Sequence, residues 1–181
     1  TKLLQPTDGL EPITFKYLLG LLASTGLRIS EAIRLTVRDV DLDKGILAIR
    51  ETKMHKSRYV PLHFTTQQAL QAYSSLRDKK VFSNPDSKFF LLDGGRPLII
   101  GNTEVKFRWL REKVGLTKNP RLYDFRHTFA CKRLLKWYKE RKDIDAMIIY
   151  LSTYLGHVRP NDTYWYITAI PELLAVASKR F

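Results

Sequence analysis

The stretch "LYDFRHTFACKRLLKWYKE", residues 122–140, indicates that the second half of the chain is helical. Its apolar residues recur at helical spacing, which predicts a long helix. Segments with the same pattern lie on either side, at 102–114 and 145–156, and Pro120 and Gly156 mark the breaks between them. The sequence therefore predicts helices from about residue 102 onward.

Helices are also predicted in the first half of the chain. Residues 12–25 have helical periodicity and end at Gly26, a residue that commonly stops a helix. Residues 28–37 form a second predicted helix. A third begins after residue 64 and is expected to be capped by Thr65 or Thr66, because hydroxyl side chains are good N-caps.

Strand signals lie between these helices. "GILAIRET" (45–52) and "SRYVPL" (57–62) both alternate and are joined by "KMHK" (53–56), which predicts a β-hairpin with a basic tip. "KFFLLDGGRPL" (88–98) predicts a short strand that runs into a Gly-Gly turn. The fold class is therefore α+β, mostly helical, with one small antiparallel sheet.

Composition narrows the possible partners. The 181 residues are 44% hydrophobic, enough for one sizeable core, and they carry 31 Lys and Arg against 18 Asp and Glu, a formal charge of +13. Such an excess favours a polyanion such as nucleic acid. An anionic membrane is the rival, but no run of about 18 apolar residues is present. A single cysteine, Cys131, excludes an internal disulfide and a cysteine-rich zinc site, so we expect a reduced, cytoplasmic protein.

The positive charge is concentrated in one region. Between Glu104 and Asp143 there are thirteen Lys or Arg residues and five acidic ones. Charge runs of this kind are often the solvated faces of helices, and they are also typical of a surface that binds nucleic acid. The sequence leaves both interpretations open.

Four separated residues have side chains suited to phosphate chemistry: Arg28, Lys53, Arg126 and His157. Each has an ordinary alternative role: in order, a surface charge, a solvated hairpin tip, an ion pair with Asp124 or Glu31, and a cation at a helix C-terminus. Together they fit one task. Two guanidinium groups can grip a phosphodiester bidentately, a lysine can protonate a leaving oxygen, and a histidine can donate to the developing charge.

Two tyrosines near the end of the chain are candidates for a nucleophile. Tyr164 and Tyr166 both follow His157, and a tyrosine hydroxyl can attack phosphorus to give a covalent intermediate. The sequence contains no carboxylate cluster resembling a two-metal nuclease site. We therefore predict neither a metal nor another cofactor.

Four segments in order resemble the catalytic domain of the tyrosine recombinase family (phage-integrase, Xer-like). They are "TGLRISEAIRLTVRDVDL" (25–42), "TKMHKSRYVPLH" (52–63), "RLYDFRHTFA" (121–130) and "YLGHVRPNDTYWYI" (154–167). The resemblance extends over about residues 12–175. It implies that residues 11–181 form the catalytic domain. Residues 1–10 would then be the remnant of a linker to an N-terminal DNA-binding domain that this chain lacks.

The resemblance implies how phosphate is bound. Arg28 and Arg126 match the phosphate-gripping pair, and Glu31 matches the acidic residue that supports the site. Lys53 matches the general acid on the hairpin and is preferred to Lys56 because it is the first lysine of the tip.

The resemblance also selects the nucleophile. His157 matches the histidine that follows Leu-Gly, and the family's nucleophile lies nine residues beyond it, which is Tyr166 rather than Tyr164. Tyr164 and Trp165 are expected to pack and to position the short helix.

One position departs from the family pattern. The family's second box has a histidine where this chain has Tyr123. A phenol can donate to phosphate but is a poor base near neutral pH. We expect activity with an altered pH dependence. His127 is a possible substitute base, but it is one residue past Arg126 and is expected to face elsewhere, because each residue turns a helix by about 100°.

The implied activity is site-specific DNA recombination through a 3′-phosphotyrosyl intermediate. The expected partner is double-stranded DNA, bound by a homotetramer on two sites, with residues 171–181 docked in cis or onto a neighbouring subunit. The rivals are a type IB topoisomerase-like activity and a non-catalytic DNA-binding relic. Five basic residues in or near the boxes are predicted to contact DNA: Lys56, Arg58, Lys118, Arg121 and Arg159.

Overall fold

The computed structural model describes residues 9–50, 57–157, 159 and 161–168. In this part of the chain seven helices surround a small sheet, which confirms the predicted fold class. The helices are α1 (Leu10–Thr25), α2 (Ile29–Arg34), α3 (Phe64–Asp78), α4 (Ile100–Lys113), α5 (Tyr123–Lys139), α6 (Ile144–Leu155) and α7 (Asn161–Thr168). The strands are β1 (Val40–Asp41), β2 (Ile46–Ile49) and β3 (Arg58–Pro61).

The first helix ends where the sequence predicts. Gly26 adopts the left-handed conformation at φ 65° and its N–H donates to the carbonyl of Leu22. The next helix, α2, is shorter than predicted and stops at Arg34, after which a 3₁₀ turn leads into β1. Arg28 and Glu31 lie in this short segment between α1 and β1.

The sheet is antiparallel, in the order β1-β2-β3. The paired residues Leu47 and Val60 are both fully buried, which anchors the register of β2 on β3. The sequence predicts these two strands but not the two-residue β1, which pairs with β2.

Two local predictions are wrong. The N-cap of α3 is His63, whose Nδ1 accepts a hydrogen bond from the N–H of Thr65, rather than Thr65 or Thr66 itself. Residues 88–98 form two isolated bridges, Thr36 with Lys88 and Leu91 with Pro97, in place of a strand. A 3₁₀ turn at 93–95 supplies the predicted Gly-Gly turn.

Two hydrophobic clusters form the core. The larger joins α1, α2, the sheet and α3 to Phe89 and Phe90. The smaller lies between α5, α6 and α7 and includes Leu134, Leu151 and Tyr166. Described residues of all four segments that resemble catalytic boxes contact one another: Arg58 binds Glu31 and Tyr154, and Arg126 binds Gly26 and Leu155. No helix in the described ranges is long and apolar enough to cross a membrane.

Candidate active site

The turn at Gly26 packs closely against α5 and brings Arg28 near Arg126. A Cβ at Gly26 would lie 2.6 Å from Cδ1 of Phe129 on α5, so only glycine permits this close packing of the turn on α5. The carbonyl of Gly26 accepts a hydrogen bond of 3.0 Å from Nη1 of Arg126. Arg28 follows two residues later as the N-cap of α2.

Glu31 is the buried carboxylate of this region. Its Oε2 accepts from the Arg28 N–H and its Oε1 from Arg28 Nη1, both at 3.0 Å. Arg58 donates to both carboxylate oxygens, also at 3.0 Å. Burial opposes the charge of Glu31, but the hydrogen bonds and charges of Arg58 and Arg28 prevail and hold its pKa below the ordinary value. Glu31 is therefore ionised at neutral pH and orients both arginines.

Arg126 is a fully buried cation held by backbone carbonyls. Its Nη1 donates to Gly26 and its Nη2 to the carbonyl of Leu155, at 3.0 and 2.7 Å. Its Nε finds no acceptor among the described residues. Burial and the charge of Arg28 lower its pKa, although an arginine stays protonated. A buried positive charge held by neutral carbonyls leaves the site ready for an anion.

Among the described residues Arg126 forms an ion pair with neither Asp124 nor Glu31, although the charge of Glu31 partly offsets the lowering of its pKa. Asp124 accepts instead from the backbone N–H of Arg121, at 2.7 Å, and pairs weakly with the Arg121 side chain at 3.4 Å. This leaves the charge of Arg126 directed inward, toward the site.

His157 is neutral in this environment. It follows Gly156, which ends α6 in the left-handed conformation at φ 68°. Its Nδ1 lies 2.7 Å from Oγ1 of Thr163. Burial, with the nearby charges of Arg126 and Arg28, lowers its pKa to about 4. When Thr163 donates to Nδ1, Nε2 carries the ring proton and becomes a neutral hydrogen-bond donor.

Tyr166 lies in the smaller core cluster, only 2% exposed. Its ring is flanked by His127, 5.3 Å between centroids, and by His157, 6.0 Å and nearly parallel. Burial and the neighbouring Tyr123 phenol raise its pKa to about 12, and Arg126 offsets only part of this. The hydroxyl is thus protonated at neutral pH and must lose its proton to act as a nucleophile.

Tyr123 is the first residue of α5 and is 52% exposed. Its phenol interacts with the Tyr166 hydroxyl, as the Arg126 guanidinium does. Tyr123 therefore connects a buried hydroxyl to the solvent.

The expectation that His127 faces away from the site is wrong. Its ring contacts both Trp165 and Tyr166, with centroids 5.2 and 5.3 Å apart, and its Nε2 lies 3.6 Å from the Cys131 sulfur. The reason is that two successive residues of α7, Trp165 and Tyr166, both contact the His127 ring. Spacing along α5 alone does not show which of its faces another helix covers.

Tyr164 lies on the outer side of α7. It is 40% exposed and its hydroxyl donates to Oδ1 of Asp145 on α6 at 3.3 Å. This contact links α7 to the start of α6.

The residues predicted to contact DNA are placed differently from one another. Lys118, Arg121 and Arg159 are exposed, and Arg121 lines a cavity of about 410 Å³ beside Tyr123, together with Arg108 and Arg111. The sequence predicts that Arg58 contacts DNA, but its side chain is turned inward and only 12% exposed. Lys53 and Lys56 lie outside the described residues.

Two contributors to the site were not predicted from the sequence: Thr163 and the inward role of Arg58. Thr163 follows His157 by six residues, across the break between α6 and α7, a separation that carries no periodic signal. Within the described ranges, no group of three or more His, Cys, Asp or Glu side chains could hold a metal ion.

Fold and site together place the protein among the tyrosine recombinases, as a catalytic domain. The chain belongs to the phage integrase family, whose sequence profile matches residues 2–172. It is 41% identical over 179 residues to the putative integrase/recombinase y4rE of Sinorhizobium fredii, covering 98% of this chain and 58% of that protein. It is 32% identical to the tyrosine recombinase XerC of Lacticaseibacillus casei, covering 82% and 48%. The chain thus spans about half the length of these relatives.

Solved structures show the same architecture. The crystal structure of XerA recombinase superimposes with a TM-score of 0.71 at 25% identity, covering 93% of this chain and 61% of that one. The XerH site-specific recombinase bound to its palindromic difH substrate gives a TM-score of 0.69 at 22% identity, covering 93% and 46%. The second likeness is one of fold.

Proposed function

We propose that this chain is the catalytic part, residues 11–181, of a site-specific DNA recombinase that cleaves and rejoins double-stranded DNA. The observation that carries the proposal is that Tyr166, Arg126, Arg28 and His157 converge on one site although 138 positions separate the first from the last along the chain. Membership of the phage integrase family supports the same reaction.

The reaction we propose conserves the number of phosphodiester bonds. The Tyr166 oxygen attacks a backbone phosphorus, a Tyr–O–P bond to the 3′ phosphate forms, and the bond to the 5′ oxygen breaks. The tyrosine proton passes to the Tyr123 phenol and on to water, since Tyr123 connects the buried hydroxyl to the solvent. The 5′ oxygen takes a proton and leaves as a hydroxyl. Attack by a 5′-hydroxyl from a partner strand reverses the step.

The cations stabilise the charge that develops on the phosphate. Arg28 and Arg126 supply two guanidinium groups on one side of Tyr166, and neutral His157 donates through Nε2. We assign the proton donor to the leaving 5′ oxygen to Lys53 by family resemblance. No nucleotide cofactor is required, because the covalent link retains the bond energy.

Covalent trapping tests the proposal. Nicked, labelled duplexes from the DNA bordering the gene would be incubated with the wild-type chain, Tyr166→Phe and Tyr164→Phe, and adducts that survive SDS would be counted. We expect an adduct from the wild type and Tyr164→Phe, and none from Tyr166→Phe. An adduct retained by Tyr166→Phe and lost by Tyr164→Phe would contradict the assignment.

Strand exchange separates a recombinase from a topoisomerase-like enzyme. A recombinase joins strands from two sites, whereas a topoisomerase reseals the strand it cut. We expect labelled strands from two duplexes to appear in one product. Relaxation of supercoiled DNA without such products would favour the topoisomerase activity, and DNA binding without an adduct would favour a relic.

We also propose that the protein acts in the cytoplasm, on DNA, as a homotetramer joined through residues 171–181, which lie outside the described residues. Their sequence, "PELLAVASKRF", is apolar enough to dock on a neighbour. Removing residues 171–181 should abolish complexes that hold two DNA sites while leaving complexes with one site intact. Sedimentation of protein with labelled duplexes would measure both.

A further inference from the structure

Arg58 occupies an unusual place for a basic residue of a strongly basic protein. It is the first residue of β3, paired with Ile49 of β2, on the strand that follows the predicted lysine-bearing tip. All three nitrogens of its guanidinium donate to protein acceptors. Nη1 and Nη2 bind the two oxygens of Glu31 at 3.0 Å, and Nε binds the carbonyl of Tyr154 at 2.8 Å.

These bonds join three separate parts of the site. Glu31 belongs to the first arginine segment, Tyr154 is in the last turn of α6, and β3 leads from the hairpin. The guanidinium also lies directly against Gly156, where an added Cβ would be 2.7 Å from Nη1 and 2.9 Å from Cζ. His157 is the next residue. The planar guanidinium of Arg58 binds a carboxylate and a backbone carbonyl at the same time. It therefore fixes the first arginine segment, the end of α6 and strand β3 relative to one another.

The charge balance gives Arg58 a second effect. Glu31 carries one negative charge, and two arginines contact it. Arg58 binds both carboxylate oxygens, while the Arg28 side chain donates to one and stays 34% exposed. Arg58 is therefore the principal counter-ion of Glu31, and the charge of Arg28 remains available for an incoming phosphate.

We propose that Arg58 is a positioning residue for DNA cleavage: it neutralises Glu31 so that Arg28 can bind phosphate, and it holds the turn that carries His157. This inference rests on the function proposed above. It also replaces the predicted contact of Arg58 with DNA.

The ionisation of Glu31 offers a readout that does not depend on DNA. Burial raises the pKa of Glu31, and Arg58 is the first of the groups that lower it. Removing Arg58 should therefore move the protonation of Glu31 to higher pH. The charged groups facing Glu31 come from several segments: Arg28 and Arg34 at α2, Arg58 on β3, Arg126 on α5, and Asp39 and Arg50 across a small cavity.

The test compares Arg58→Met and Arg58→Lys with the control Arg38→Met. Arg38 is a half-exposed arginine paired with Asp86, so its replacement removes the same charge away from the site. At saturating DNA, we expect Arg58→Met to slow adduct formation on the order of 10- to 100-fold, as misplacement of catalytic groups does. Saturating DNA keeps any loss of affinity out of the measured rate. Arg58→Lys should recover part of the rate, since it restores the charge but not the planar guanidinium.

The titration is measured on the same proteins. The ¹³C signal of the Glu31 carboxyl, assigned by its loss in Glu31→Gln, should titrate at higher pH in Arg58→Met than in the wild type and in Arg38→Met. The acid limb of the cleavage rate should move in the same direction, because Glu31 must be ionised. If the wild type forms no adduct, the proposed function fails and the titration still tests the contact between Arg58 and Glu31.

Two glycine variants provide a second test in case Arg58→Met does not fold. Gly156 and Gly115 both have φ 68°, but a Cβ at Gly115 meets nothing within 4 Å. Gly156→Ala should slow cleavage and shift the Glu31 titration beyond the effect of Gly115→Ala, because it displaces Arg58. The proposal is overturned if Arg58→Met keeps its rate at saturating DNA, or if the titration of Glu31 is the same in Arg58→Met as in the wild type.

Discussion

The environment of Tyr166 opposes the loss of its hydroxyl proton, which it would need to act as a nucleophile. Its pKa is raised to about 12 because its ring is buried and its hydroxyl adjoins the Tyr123 phenol. The nearby His157, with a pKa lowered to about 4, is neutral but serves better as a donor to phosphate than as a base. At pH values below this raised pKa, the fraction of Tyr166 in the phenolate form rises about tenfold for each unit by which the pH increases.

The first prediction follows from this raised pKa. Adduct formation by the wild type should accelerate with pH between about 7 and 9, the range far below the pKa of Tyr166. Tyr123→His should be faster at pH 7, on the order of 10-fold or more, because a neutral imidazole accepts the proton directly. It should also show a flatter profile. Single-turnover rates at several pH values measure this, with Tyr123→Phe as the control that removes the hydroxyl.

Identical pH profiles for the wild type and Tyr123→His would contradict the assigned role. They would show that the proton of Tyr166 leaves by a path independent of position 123. In that case His127, whose ring contacts Tyr166, becomes the group to replace next.

At the scale of elements, two left-handed glycines place the site. Gly26 ends α1 beside Arg28, and Gly156 ends α6 beside His157. Each is closely covered, the first by Phe129 and the second by Arg58. These two turns position Arg28 and His157, both proposed catalytic residues, directly after the ends of helices.

The second prediction concerns Gly26. Gly26→Ala should lower the free energy of unfolding by about 2 kcal/mol or more, because it combines backbone strain at φ 65° with a contact of 2.6 Å to Phe129. Gly94→Ala, at φ 70° with nothing within 4 Å of the added Cβ, isolates the strain and should cost about 1 kcal/mol. Urea unfolding of both variants measures the difference. Equal losses would mean that Phe129 yields at no cost.

Sequence patterns predicted elements better than their junctions. The helices α1, α4, α5 and α6 and the pairing of β2 with β3 follow from periodicity, which a segment carries within itself. The His63 cap, the bridges at 88–98 and the contact of His127 with Tyr166 depend on neighbours distant in sequence. The inward turn of Arg58 has the same origin, since its partners Glu31 and Tyr154 lie 27 and 96 positions away.

At the scale of the whole molecule, the site spans the junction of the two hydrophobic clusters. Arg28 and Glu31 belong to the segment packed in the larger cluster, and Tyr166 to the smaller. Arg126 bridges them through the carbonyls of Gly26 and Leu155. The placement of the proposed nucleophile, Tyr166, relative to the proposed phosphate-binding arginines therefore depends on the packing of α5 between the clusters.

The net charge of +13 leads to the last prediction. The affinity for DNA should fall steeply with salt, because lysines and arginines that contact phosphates release counterions. Arg121, exposed and lining the basic cavity beside Tyr123, is well placed for such a contact. Arg121→Gln should reduce the slope of log affinity against log salt by about 1, to a similar extent on different DNA sequences.

Lys44→Gln is the matched control, since Lys44 is an exposed cation beside the sheet, paired with Asp41. It should leave the slope unchanged, because its loss alters net charge without removing a phosphate contact. Fluorescence anisotropy across a salt series measures both variants. An equal reduction in the two slopes would mean that DNA responds to the total charge of the molecule. A reduction confined to Arg121→Gln would place the DNA backbone along the cavity lined by Arg121 and Tyr123.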